Sequence, residues 1–147
     1  MSTGITAASP QGLELIKRFQ GLSLERYRDA QGLWLIGYGH LICDRERFDA
    51  GISHAQAEAL FQRDTQNYQQ LICQCVNVPL GQQQFDALLS LAFSLGPEGL
   101  QRSAIVQAIN RADFSAALAE WQREGQQQNS LALQRQAESA LFQHDMR

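Results

Sequence analysis

The sequence predicts a mainly helical α+β fold of two lobes. A small β-hairpin lobe follows the first helix, and a long helix joins it to a larger helical lobe. Three observations predict it. Residues 24–42 are rich in aromatic and β-branched types around a turn at Asp29-Ala30-Gln31-Gly32, which reads as an antiparallel hairpin. Ser53-His54-Ala55-Gln56 reads as a capping box opening one long helical stripe: Ala57, Leu60, Phe61, Asp64, Tyr68, Leu71, Ile72 and Cys75, with Pro79 as its stop. Residues 87–95 are apolar on all sides, as suits a helix buried at the centre of a lobe.

The remaining elements follow from local signals. Ser9 before Pro10 is a helix start, an N-cap hydroxyl ahead of a proline at the first helical position. Leu13, Ile16 and Phe19 carry that helix to about Gly21. Gly96 is placed to cap the central helix. Asp113 caps a further helix through Trp121, and a last amphipathic helix is expected from about Leu133 to Phe142. Repeats and long linkers are missing, so residues 1–147 are expected to form one domain, with about 10–52 in the first lobe and 53–147 in the second. A cleft between such lobes suits an extended polymer.

Composition narrows the class. A chain of 147 residues that is 44% hydrophobic and 18% charged can bury a core of ordinary size. Its longest apolar run falls short of the roughly 20 residues a membrane span needs. The opening MSTGITAASP has neither the basic segment nor the apolar core of a secretory signal. The expectation is a protein made in the cytoplasm that acts there or reaches the periplasm by a signal-independent route. Twelve basic against 15 acidic residues, a net charge of −3, argue against a nucleic-acid partner. Cys43, Cys73 and Cys75 are expected to be free thiols, and no metal site is expected, because Cys73 and Cys75 lack a second pair and His40, His54 and His144 are scattered. No cofactor is expected, and a monomer is.

One set of residues points further. Tyr27-Arg28-Asp29 precedes Gly37-Tyr38-Gly39-His40, and later come Gln84-Phe85-Asp86-Ala87-Leu88, Phe93 with Gly96, Ser103, Asn110, Trp121, and Arg135 with Glu138. In this order and spacing, from about Gly12 to Phe142, the chain resembles the phage-type (T-even-like) lysozymes, glycoside hydrolase family 24. The resemblance implies an active site made of a Glu, eight residues, an Asp, five residues and a Thr. Here that frame holds Gln20, Asp29 and Leu35. Ser94 stands where the family often has Asn, Gln134-Arg135 where it has paired arginines, and Ser130-Leu131 where it has Gly-Leu.

The chemistry of these exchanges is severe. Cleaving a glycosidic bond needs a proton on the departing oxygen and a carboxylate beside the cation that forms. Gln20 keeps the size of a glutamate but has no acidic proton, a loss worth about two to four powers of ten in rate. Leu35 offers no hydroxyl to hold a water or a sugar. Glu14 lies six positions before Gln20, about 240° around the helix axis, and so faces elsewhere. Glu25, in the approach to the hairpin, is the available substitute acid.

Each candidate has a plainer alternative. Asp29 is either the retained carboxylate or a turn-former. Substrate contact is the functional role assigned to Tyr38, His40, Ser94 and Arg135. Hairpin packing would account equally for Tyr38 and His40, and an intrahelical pair with Glu138 for Arg135. Asp64 is expected to be a buried, satisfied carboxylate and Trp121 a core residue. Three functions fit: a peptidoglycan-binding module without catalysis, a working muramidase (by an altered route or with Gln20 in place of an original glutamate), or a protein-interaction part of a phage-derived secretion or injection apparatus.

Overall fold

The computed structural model describes residues 5–30, 32–43, 45–127 and 131–145. Helix α1 (Pro10–Gln20) opens as its sequence predicts: Ser9 is the N-cap, its hydroxyl accepting from the Gly12 amide, and Pro10 takes the first helical position. Gly21, at φ 71°, ends it. The hairpin signal resolves into three strands rather than two: β1 (Ser23–Arg28), β2 (Trp34–Gly37) and β3 (His40–Leu41), antiparallel in the order β1-β2-β3. The reason is a second reversal at Gly37-Tyr38-Gly39. Both glycines adopt positive φ, 67° and 72°, so the chain turns back and pairs Ile36 with His40. Gln31 of the first predicted turn lies outside the described residues, and Leu33 returns its amide to the Asp29 carboxylate at 2.9 Å.

Helix α2 (His54–Cys75) has the capping box in full, Ser53 and Gln56 each accepting the other's backbone amide. It ends ahead of the predicted Pro79 stop. The Cys75 carbonyl and the Asn77 amide are both taken by the Asn110 side chain, at 2.8 and 2.9 Å, so the chain leaves the helix to meet that clasp. Helix α3 (Gln82–Arg102) carries the apolar run, and Phe85, Leu88, Leu89 and Leu91 are fully enclosed. It breaks at Gly96, at φ 76° and ψ 174°, before Pro97 restarts the helical course. Helix α4 (Ala104–Asn110) is capped by Ser103. Helix α5 (Phe114–Gln127) runs on past Trp121, and α6 (Ala132–His144) begins beside the expected start.

A continuous apolar core joins these parts. It runs from Ile16 of α1 through Phe61 and Ile72 of α2 to Trp121 and Phe142. An aromatic chain crosses between lobes: Tyr38 meets Phe61 at 5.5 Å, Phe61 meets Phe93 at 5.3 Å, and Tyr68 meets Phe93 at 5.0 Å between ring centroids. Among the described residues no helix is long and apolar enough to cross a membrane.

The start of α1 is pinned to α3. Asp86, 3% exposed, accepts from the Ser9 amide at 2.9 Å, from the Ser9 hydroxyl, and from Gln82 Nε2 at 3.0 Å. A Cβ at Gly12 would lie 2.5 Å from the Asp86 carboxyl carbon, so the two helices can be this close only with glycine there. Gly12→Ala and Asp86→Ala are each expected to lower unfolding free energy by about 2–3 kcal/mol, the first through overpacking and the second through orphaned donors. Urea denaturation followed by circular dichroism measures both.

Candidate functional site

The last residue of α1 is Gln20, and its side chain lies across the glycine turn of the sheet. A Cβ at Gly39 would come within 2.4 Å of Gln20 Oε1, so glycine at this point admits the amide to the cleft. Asp29 directly follows β1, and Leu35 sits in β2 opposite Tyr27 and Leu41. All three frame residues line one cleft of about 300 Å³ between the sheet and the helices. Across from them α3 contributes Phe93, Ser94, Leu95 and Gly96, and the start of α6 contributes Leu131 and Gln134.

Ser94 lines the cleft, and its hydroxyl accepts from Gln134 Nε2 at 2.9 Å. The same amide approaches Ser90 and Glu138, each at 3.3 Å, so the cleft floor is continuous with a buried polar network. Glu138 has no exposed surface. It accepts from Trp121 Nε1 at 3.0 Å, from Arg135 Nη1 at 2.7 Å and from the Ser90 hydroxyl. Burial pushes its pKa above the usual carboxylate range, against the opposing pull of Arg135 and the other donors.

Arg135 does not stand in the cleft. It is 1% exposed, paired with Glu138, and its Nε lies 3.4 Å from Glu124. The intrahelical pairing expected from the spacing is present through Nη1, while Nε and Nη2 are buried with no hydrogen-bond partner among the described residues. Tyr38 is also turned from the cleft. Its ring packs edge-on against Phe61 beneath the Lys17 ammonium, 5.2 Å from the ring centre, which is the hairpin-packing alternative. Ser130, one of the departures from the family pattern, lies outside the described residues.

His40 has a third placement. It is 8% exposed and lines a neighbouring cavity of about 410 Å³, which shares Leu41 and Tyr68 with the cleft. Nδ1 is 2.7 Å from Asp64 Oδ2 and Nε2 is 2.8 Å from Glu46 Oε1. Burial alone would lower the imidazole pKa, but hydrogen bonds to Asp64 and Glu46 outweigh it, and the pKa is raised above its ordinary 6.5. Asp64 is thus a satisfied carboxylate, though half-buried rather than buried as its position on the helical stripe implied. Glu46 is the partner that the sequence did not disclose. Burial would raise its pKa, but the Cys43 amide and His40 reverse this and hold it low.

Other acids are placed away from the cleft. Glu25 packs toward Gly51, its Cγ 3.7 Å from where a Cβ there would sit, and Glu14 lines a separate surface hollow with Pro10 and Arg18. Tyr68 lines the cleft with its hydroxyl proton held to about 12, by burial first and by Asp64 second. No group of three or more histidine, cysteine or acidic side chains among the described residues is arranged to hold a metal ion.

A small three-stranded sheet facing a helical lobe across a cleft, with the frame residues at the end of α1 and on the sheet, defines the lysozyme type of fold. The phage lysozyme family model matches residues 17–138. The endolysin of Acyrthosiphon pisum secondary endosymbiont phage 1 is 35% identical, covering 92% of this chain and 97% of its own, and that of Salmonella phage P22 is 32% identical over 91% and 96%. Among solved structures, the muramidase domain of SpmX from Asticaccaulis excentricus superposes with a TM-score of 0.76 at 31% identity, covering 91% of this chain and 95% of that one. The chain belongs to the phage lysozyme family.

The His40 pairings set a pH dependence. Its raised pKa means that their contribution to stability is complete below about pH 6.5 and is lost as pH rises through the folded value. Glu46, lowered from 4.5, acts in the opposite sense: its contribution is complete above that pH and is lost as pH falls through the folded value. Thermal unfolding from pH 4 to pH 9 is expected to peak between these limits. His40→Gln should lower Tm by several degrees inside this window, an effect of roughly 1–3 kcal/mol, and flatten the alkaline fall.

Proposed function

We propose that this chain is a lysozyme-fold module that seats a peptidoglycan glycan strand between its lobes without cutting it. The carrying observation is the set of acids in the cleft. Among its described lining residues Asp29 is the sole carboxylate, and α1 brings Gln20 to the frame position of the general acid. An amide there can accept from and donate to sugar hydroxyls, but it cannot protonate a leaving oxygen. Leu35 leaves no hydroxyl at the third frame position, and neither Glu25 nor Glu14 is placed to substitute.

A protein-docking role is favoured by a different observation. Phe19, Leu33, Leu35, Leu41, Phe93 and Leu95 line the same cleft, and Leu33 and Leu41 are among the exposed large apolar residues of the chain. Such a wall accepts apolar side chains as readily as sugar faces.

Sedimentation with purified sacculi and a turbidity assay separate these possibilities. The unaltered chain is expected to pellet with sacculi and to leave their turbidity unchanged. Gln20→Glu combined with Leu35→Thr is expected to introduce clearing at least about a hundredfold above the unaltered chain. Clearing by the unaltered chain that Asp29→Asn abolishes would overturn the non-cutting role. Failure to pellet, with capture of a protein partner instead, would favour docking.

A further inference from the structure

We infer that a hollow between α5 and α6, separate from the cleft, binds the free carboxylate end of a peptide, with Arg135 as its anchor. The guanidinium is 1% exposed, and Nη1 bonds Glu138 at 2.7 Å. Nε and Nη2 are buried without a hydrogen-bond partner among the described residues. These two nitrogens share one edge of the planar group, and that edge is a fork able to take a carboxylate through two parallel hydrogen bonds. Buried donors are ordinarily satisfied, so the unpaired edge marks a position for an acceptor.

A cavity adjoins this arginine. Arg135 and Trp121 are the buried part of the lining of a hollow of about 340 Å³, which shares no described lining residue with the cleft. That volume is at the small end of ligand pockets and suits the last one or two residues of a peptide, not a long segment. Gln122, Gln126 and Gln136, all exposed, form its rim with Ser139. Neutral amides and a hydroxyl can pair with the peptide N–H and C=O groups that precede a terminal carboxylate. Gly125 keeps the two helices close at this point. A Cβ there would lie 3.2 Å from Arg135 Cβ, against the stem of the anchoring side chain.

Two acids of the chain stand beside the anchor, and neither closes the fork. Glu138 is engaged through Nη1, and burial favours its protonated form, which reduces the charge it sets against a ligand. Glu124 Oε2 lies 3.4 Å from Nε, an ion pair without a hydrogen bond, and its side chain is 30% exposed. Glu124 is therefore a tethered competitor, able to swing into water when a ligand carboxylate engages both nitrogens. Removing its charge should favour the ligand.

The test is an NMR titration of the intact chain that follows the Arg135 Nε–H and Trp121 Nε1–H signals. The indole proton is bonded to the same Glu138 oxygen as Arg135 Nη1, so it reports on the anchor. The probes are N-acetyl-alanyl-alanine with a free carboxylate, its C-terminal amide, and acetate. The free acid is expected to shift both signals saturably in the millimolar range, at least about tenfold more tightly than the amide or acetate. Glu124→Gln is expected to tighten the free acid at least about threefold, and Gln136→Glu, at an exposed rim position, to weaken it by a similar factor. The absence of a saturable shift with the free acid in the folded, unaltered chain would overturn the site. Equal binding of the amide would overturn the carboxylate anchor, and equal binding of acetate would overturn recognition of a peptide.

Discussion

One enclosed carboxylate organises the helical lobe. Glu138 of α6 accepts hydrogen bonds from Ser90 of α3, Trp121 of α5, and Gln134 and Arg135 of its own helix. A carboxyl group with no exposed surface needs its oxygens hydrogen-bonded, and here each donor comes from a helix that must be packed in place to supply it. The cleft inherits its floor from this cluster. Gln134 reaches Ser94 while held beside Glu138, so two cleft-lining side chains are set by a group the cleft never touches. The same cluster draws Arg135 inward, its Nη1 bonded to Glu138.

The sheet side is organised by glycine and aromatic packing. Gly39 gives space to the Gln20 amide, Gly12 allows α1 to lie against Asp86, and the Tyr38–Phe61–Phe93 chain ties the glycine turn to both long helices. The Gln20 amide is thus seated where the end of α1 meets the glycine turn of the sheet.

Much of this was legible in the sequence where the physics is local. The Ser9-Pro10 start, the Ser53–Gln56 capping box and the enclosed run of α3 each depend on neighbours a few residues apart, and each is present. The frame of Gln20, Asp29 and Leu35 also converges on one cleft, because the turn and strand spacing between them is short. Long-range pairing was not legible. The end of α2 depends on Asn110, and the fate of His40 on Glu46 in a loop with no periodic signal. A third strand of only two residues, His40–Leu41, carries too little pattern to be separated from the turn before it.

Two helices, not one, run between the lobes. The start of α1 is held by Asp86 in the helical lobe, and its end lies under the glycine turn of the sheet. Along α2, Asp64 meets His40 of the sheet, Tyr68 meets Phe93 of α3, and the far end is gripped by Asn110. The sheet and the helical lobe are therefore tied along two separate helices as well as through the shared aromatic packing. The two walls of the cleft are thereby held by two ties rather than one.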